Sequence, residues 1–249
     1  LPLRILHITD PHLHAQRNAR MRGVNTDETL VATLAHALAG PRRADLVLAT
    51  GDLVQDETLA GYKRFHDLLG NLGLPVYCLP GNHDDPVLMR EMLSAAPFQF
   101  CGVAEHGAWS LVMLNSFARQ DDGGVLAPEE LDLLESSLAN SRSAHCLIAL
   151  HHQPVPMGSR WLDSVPLRNA DEFLAICDRH PRLRGIVWGH VHQASDRERR
   201  GVRLLSTPST CAQFKPESAT FALDTRPPGY RWLELHEDGS IDSTVVWVE

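Results

Sequence analysis

The stretch Arg4-Ile5-Leu6-His7-Ile8-Thr9-Asp10-Pro11-His12 is a short apolar run that ends in an acid and a histidine one residue apart. A run of this length, rich in β-branched and aliphatic residues and closed by polar ones, reads as a buried strand over Arg4–Thr9. The same grammar recurs along the chain. Leu46–Thr50 runs into Gly51-Asp52, Val76–Leu79 is followed by Gly81-Asn82-His83-Asp84, His145–Leu150 runs into His151-His152, and Gly185–Trp188 into Gly189-His190-Val191-His192. A further strand is expected over Ser110–Asn115.

Amphipathic segments separate these runs. Thr26–Leu38 puts Leu30, Leu34 and Leu38 on one face, and Pro128–Leu138 does the same with Leu131, Leu134 and Leu138; Leu59–Leu72 and Asp171–His180 are two more helices. Strand followed by helix, repeated, means a layered α/β fold. The tail has a different rhythm: Val202–Ser206, Thr220–Leu223, Tyr230–His236 and Ile241–Val248 read as strands with little helix between them, and Asp238-Gly239 is a hairpin turn. A second, antiparallel sheet packed on the first is therefore expected. Arg197–Arg203 reads as a solvated turn. No composition break divides the chain, so residues 1–249 are taken as one domain.

Composition narrows the partners. With 23 Lys and Arg against 31 Asp and Glu the formal charge is -8, which disfavours a nucleic-acid polymer and requires local positive charge for any small anionic ligand. No stretch approaches the roughly 20 apolar residues of a membrane span, and Leu1-Pro2-Leu3-Arg4 lacks the regions of a signal peptide, so a cytoplasmic protein without membrane attachment is expected. Cys78, Cys101, Cys146, Cys177 and Cys211 are odd in number and widely spaced, and read as reduced core residues.

In an open α/β sheet the carboxyl ends of the strands open into one crevice, so the polar residues after each run converge there. Asp10-Pro11-His12 and His190-Val191-His192 each carry one intervening residue, which in extended chain turns both side chains of a pair the same way. Gly51 and Gly81 permit sharp turns and close approach beside Asp52 and Asn82. Histidine nitrogen with carboxylate oxygen and no thiolate suits Fe, Mn, Zn or Co. Seven ligands drawn from these strand-end residues are too many for one ion and suit two ions sharing a carboxylate. The remaining histidines other than His83 and His152, among them His7 and His14, read as structural or solvated.

Taken together, Asp10-Pro11-His12, Gly51-Asp52, Gly81-Asn82-His83-Asp84, His151-His152 and Gly189-His190-Val191-His192 resemble the signature of the calcineurin-like metallophosphoesterases. The resemblance implies a four-layer α/β/β/α sandwich with mixed sheets and a dinuclear centre at the strand C-terminal ends, the antiparallel tail forming much of the second sheet. It implies Asp10, His12, Asp52 and His192 at one metal, and Asp52 as bridge with Asn82, His151 and His190 at the other, Fe and Mn being the ions it suggests. It makes His83 the catalytic histidine outside the ligand set.

Within that superfamily, Gly51-Asp52-Leu53-Val54-Gln55-Asp56, Gly23-Val24-Asn25-Thr26, Leu167-Arg168-Asn169, Pro208-Ser209-Thr210 and Pro228-Gly229-Tyr230-Arg231 are similar to the class III cyclic-nucleotide phosphodiesterases, the bacterial cAMP phosphodiesterases. The implied reaction is hydrolysis of 3′,5′-cyclic AMP to 5′-AMP by a metal-bridging hydroxide, with His83 protonating the ribose 3′ oxygen. A broader phosphodiesterase or phosphomonoesterase on other small esters is the alternative, and a non-catalytic scaffold the least favoured. Asp84 or Asp56 is expected to orient His83. Substrate contacts are expected from Asn82, His83, His12 and His192, with Asn25 and Asn169 as ribose or base contacts or helix caps, and a homodimer is compatible with the sequence. Phe117, Trp161 and Phe214 are the candidates for stacking on adenine, though aromatics of this kind are more often core or rim residues.

Overall fold

The apolar runs become strands because each can bury both of its faces, and the polar residues that end them are left at one edge of the sheets. The computed structural model describes residues 1–249. In chain order its first half holds β1 (Leu3–Ile8), β2 (Arg20–Met21), β3 (Val24–Asn25), α1 (Thr26–Ala39), β4 (Leu46–Thr50), α2 (Leu59–Gly70), β5 (Val76–Leu79), α3 (Pro86–Met92), β6 (Phe98–Phe100), β7 (Gly102–His106) and β8 (Trp109–Met113). The second half holds α4 (Pro128–Asn140), β9 (His145–Leu150), α5 (Ala170–Cys177), β10 (Leu183–Trp188), β11 (Ser195–Arg199), β12 (Val202–Ser206), β13 (Gly229–Leu235) and β14 (Ile241–Trp247).

Two six-stranded sheets carry the fold, ordered β14-β13-β1-β4-β5-β6 and β11-β12-β10-β9-β8-β7. In the first, β1, β4, β5 and β6 are parallel, and β13 and β14 join antiparallel beside β1, with Ile5 opposite Leu233. In the second, β8, β9, β10 and β12 are parallel and the two edges, β7 and β11, are antiparallel. The tail hairpin therefore does not build the second sheet, as the sequence suggested, but completes the first. Its Gly229–Leu235 strand is buried at all but one position, which requires neighbours on both sides. Thr220–Leu223 is not a strand; only Leu223 bridges, to Phe214. Arg197–Arg203 is a hairpin between β11 and β12, its arginines 199 and 203 paired with Asp178 and Asp196.

Side-chain alternation explains the layering. On β9, Leu147 and Ala149 join the large core between the sheets, while Cys146, Ile148 and Leu150 join a second core with Leu131, Leu134 and Leu138 of α4 and Phe173 and Ile176 of α5. The first sheet is covered by α1, α2 and α3 through Leu30, Leu34, Tyr62, Phe65, Leu69 and Met89. The result is the α/β/β/α sandwich. All five cysteines are buried and unpaired, and burial pushes the Cys146 and Cys211 thiols up to about 12. No helix is long and apolar enough to cross a membrane.

Candidate metal centre

The loops leaving β1, β4, β5, β9 and β10 meet at one end of the two sheets, but not in extended conformation. Asp10, His12, Asp52, His190 and His192 have φ of 52°, 48°, 50°, 64° and 47°. The left-handed region costs a residue with a Cβ about 1–3 kcal/mol, and here backbone bonds between loops offset it. Asp10 N donates to Gly51 O at 3.1 Å, His12 N to Asp52 O at 3.0 Å, and His190 N to the Asp10 carboxylate at 3.1 Å. The expectation of paired ligands facing one way in extended chain is thus corrected. His192 turns toward Asp10 (Nε2 to Oδ1, 3.3 Å), while His190 turns toward Asn82 (Nδ1 to Oδ1, 2.9 Å).

Gly51 and Gly81 allow this convergence. A Cβ on Gly51 would stand 2.5 Å from His151 Nδ1, and one on Gly81 would stand 2.2 Å from Asp52 Oδ1.

The proton positions follow from the partners. A carbonyl only accepts, so His151 Nδ1 donates to Thr50 O (2.7 Å), His192 Nδ1 to Ala212 O (2.7 Å) and His190 Nε2 to Val165 O (3.1 Å). The other nitrogen of each ring points into the site. His151 Nε2 then faces Asn82 Oδ1 at 3.1 Å and Asp52 Oδ2 at 3.4 Å, and His192 Nε2 faces His12 Nε2 at 3.1 Å. With their second nitrogens deprotonated, these inward-facing groups form the donor arrangement of a metal site, and His151, kept protonated by Asp52 without an ion, gives up that proton on ligation. Asp10, His12 and His192 form one group with ligand atoms within 4.8 Å of each other; Asp10, Asp52 and His151 form an adjoining one. Asp52 Oδ2 lies between the two sets, 3.7 Å from His12 Nε2 and 3.4 Å from His151 Nε2. His152, outside the expected ligand set, packs its ring between His151 and His190 and meets Ser116 Oγ through Nδ1 at 2.8 Å.

Electrostatics agree with this arrangement. Burial holds His12 and His190 down at about 3, in the neutral form that ligation needs. Burial also opposes charge on His151, but the Asp52 carboxylate outweighs it and lifts the imidazole to about 9. Asp10 and Asp52 stay ionised despite burial because His192 and His151 face them. The pocket attracts a cation.

His83 lies beside this centre, its ring 5.3 Å from that of His12 and its backbone N donating to Asp52 Oδ1 at 2.8 Å. Neither expected carboxylate orients it. Its Nδ1 meets the Gln55 side-chain amide at 3.1 Å. Asp84 is buried elsewhere, accepting from Leu53 N, Val54 N, Gly81 N and Tyr62 Oη, and Asp56 accepts from Ala15 N and Thr58 Oγ1. Asn25 caps α1, accepting from Asp27 N at 3.2 Å, and Asn169 binds both backbone groups of Leu126. Neither asparagine lines the cavity over the site. Phe117 is absent from that lining too.

The cavity holds about 650 Å³, ample for a nucleotide, and is lined by His12, Asp52, Asn82, His83, His190 and His192. His14, read from sequence as structural, also lines it, as do Arg20 and Arg22 from the β2–β3 hairpin. These two arginines bring positive charge to the mouth of a site in an acidic chain.

Residues 3–194 match the calcineurin-like phosphoesterase family. The chain belongs to that family. It is 41% identical over 246 residues, 98% of its length and 89% of the relative's, to the 3′,5′-cyclic adenosine monophosphate phosphodiesterase CpdA of Escherichia coli K12. The protein of the same name from Pseudomonas aeruginosa is 37% identical over 245 residues, covering 98% of this chain and 90% of that one. A dimetal phosphatase from Danio rerio superposes with a TM-score of 0.70 at 13% identity, both chains fully covered, a likeness of fold alone. Membership makes the chain a metal-dependent phosphoester hydrolase, in keeping with the paired ligand groups.

Proposed function

We propose that the chain hydrolyses 3′,5′-cyclic AMP to 5′-AMP. The observation that carries this reading is the Asp52 carboxylate set between two groups of imidazoles and oxygen donors, in a chain 37–41% identical to proteins named as cAMP phosphodiesterases. Asp10, His12 and His192 with Asp52 would hold one ion, and Asn82, His151 and His190 with Asp52 the other. Oxygen and nitrogen donors without thiolate favour Fe or Mn, with Zn and Co also accommodated. Ions bound there neutralise phosphate charge and lower the pKa of coordinated water.

The chain's own residues do the rest. Asn82, His12 and His192, at the cavity floor, bring the phosphate to the centre. Water attacks phosphorus and gives its proton to solvent, the bond to the ribose 3′ oxygen breaks, and a protonated His83 ring gives that oxygen its proton, to be recharged from solvent. The 3′ alkoxide is a poor leaving group, so this proton lowers the barrier. Gln55 holds the ring through Nδ1, its amide turned so that Oε1 accepts from Nδ1–H when the ring is protonated, and as an amide it adds no negative charge beside the phosphate. A cytoplasmic site of action goes with this reading, since five buried cysteines stand unpaired.

The test is turnover of 3′,5′-cyclic AMP, 2′,3′-cyclic AMP and an aryl phosphodiester by metal-loaded protein. The 3′,5′ isomer should have the highest kcat/KM, with 5′-AMP as product. Preference for the 2′,3′ isomer or the aryl ester would replace this reading with a broader phosphodiesterase.

A further inference from the structure

One wall of the cavity is aromatic. Phe214 lies parallel to the His192 imidazole, ring centres 4.0 Å apart at 8°. Trp161 meets Phe214 at 5.1 Å and 70° and Phe221 at 5.2 Å and 77°, and Phe214 meets Phe221 at 5.3 Å and 71°. Three mutually edge-on rings form a triangle in which each fixes the other two. Across the mouth the Arg22 guanidinium stands 4.5 Å above the Phe221 ring. Phe221 is 41% exposed, so part of its ring is open to a ligand in the cavity.

We propose that this triangle is the surface on which the base of the cyclic nucleotide stacks. The inference rests on the cAMP reading above and deepens it. Three observations converge. All three rings line the same cavity as the metal-site histidines. Phe214 stacks directly on His192, so the triangle begins one ring thickness from a residue expected to hold the phosphate end of the substrate. A 3′,5′-cyclic nucleotide carries its phosphate and its base at opposite ends of one rigid sugar, so anchoring the first beside His192 presents the second to a neighbouring wall. Stacking uses the π-face that every base has, and the Arg22–Phe221 contact keeps the exposed ring from turning away. Trp161 and Phe214, candidates for stacking already in the sequence, thereby gain a role in specificity together with Phe221.

Phe221→Ala is the clean perturbation, because this ring touches no proposed metal ligand. It is assayed on cAMP and on 1-deoxyribofuranose 3′,5′-cyclic phosphate, which keeps the leaving group and lacks the base. Loss of one stacking partner should lower kcat/KM for cAMP roughly 5- to 50-fold, mainly through KM. The base-free ester should change less than about twofold, and Phe221→Trp should restore most of the loss. Equal losses on both esters, or no loss on cAMP, overturn the proposal. If the wild-type protein hydrolyses the base-free ester but not cAMP, the functional reading fails, and the wall is then read by inhibition of that ester's hydrolysis. A weaker 5′-AMP inhibition constant in Phe221→Ala, with that of inorganic phosphate unchanged, supports the wall; an unchanged 5′-AMP constant overturns it.

Discussion

Replacing Asp84 separates a scaffold carboxylate from a catalytic one. The side chain is 1% exposed and accepts from Leu53 N at 3.1 Å, Val54 N at 3.2 Å, Gly81 N at 2.9 Å and Tyr62 Oη at 3.0 Å. The three backbone donors lie in the loops after β4 and β5 and Tyr62 lies on α2, so one carboxylate ties the turn that presents Asp52 to the turn that presents Asn82 and His83. Asp84→Ala strands three backbone donors and a phenol. Hydrogen bonds to a charged group are each worth about 1.5–3 kcal/mol. Part of that is offset, because burial and then the Asp52 charge push the Asp84 carboxyl up to about 7 against its donors. The net loss should be about 2–4 kcal/mol for Asp84→Ala. Tyr62→Phe, which removes one donor, should lose about 1 kcal/mol. Urea unfolding of chelator-treated protein at pH 7.5, with slopes unchanged between variants, measures these values. Metal retention should weaken alongside, while the ratio of rates on good and poor leaving groups stays as in the wild type. A loss under about 1 kcal/mol for Asp84→Ala would refute the scaffold argument, and a changed leaving-group ratio would return Asp84 to the role of His83 partner.

His83→Ala should keep its metals and lose about 10²–10⁴-fold on cAMP, with a smaller loss on an ester whose phenol leaves without a proton; Gln55→Ala should show the same pattern at reduced amplitude, and equal losses on both esters would count against proton donation. Gly81→Ala places a methyl 2.2 Å from Asp52 Oδ1 and 2.7 Å from His151 Cε1, so metal counted after desalting should fall sharply, and full occupancy would contradict the close approach. His7 bridges Thr50 Oγ1 and Thr207 Oγ1, both at 2.8 Å, and burial, then the Arg231 charge, lower it to about 3. Below about pH 6.5 the unfolded chain therefore takes up a proton that the folded chain refuses, and stability is lost as pH falls. At pH 5 this one group should cost about 2 kcal/mol relative to pH 7.5. Unfolding of His7→Gln should show that much less pH dependence, and parallel curves would rule His7 out as the source.

The centre was legible in the sequence because each ligand follows a strand, and strand ends are the places where sequence position translates into location. Asp52, His151 and the His190–His192 pair all lie where that rule puts them. The partner of His83 was not legible. Asp52 leaves β4 with a φ of 50°, which turns the Leu53 and Val54 N–H groups toward Asp84 and brings Gln55, not Asp56, opposite His83. Nothing in the spacing of Leu53-Val54-Gln55-Asp56 encodes that rotation. The tail misled for a related reason. Alternation shows that Tyr230–Leu235 is a buried strand but not which sheet receives it, because pairing partners are chosen by three-dimensional packing. Trp161 and Phe214 stand out in the sequence as aromatics able to stack on adenine, but Phe221 does not, and nothing in the spacing of the three shows that their loops bring them together at the site.

The central claim is a shared two-ion site that acts on a cyclic phosphodiester. Its most direct test is to strip the protein with a chelator and return Mn²⁺ in counted equivalents while following cAMP and 5′-AMP by chromatography. The account requires no turnover in the stripped protein, full turnover with two ions bound per chain, and 5′-AMP as the product. Activity that survives stripping, or a full rate with one bound ion, would contradict it.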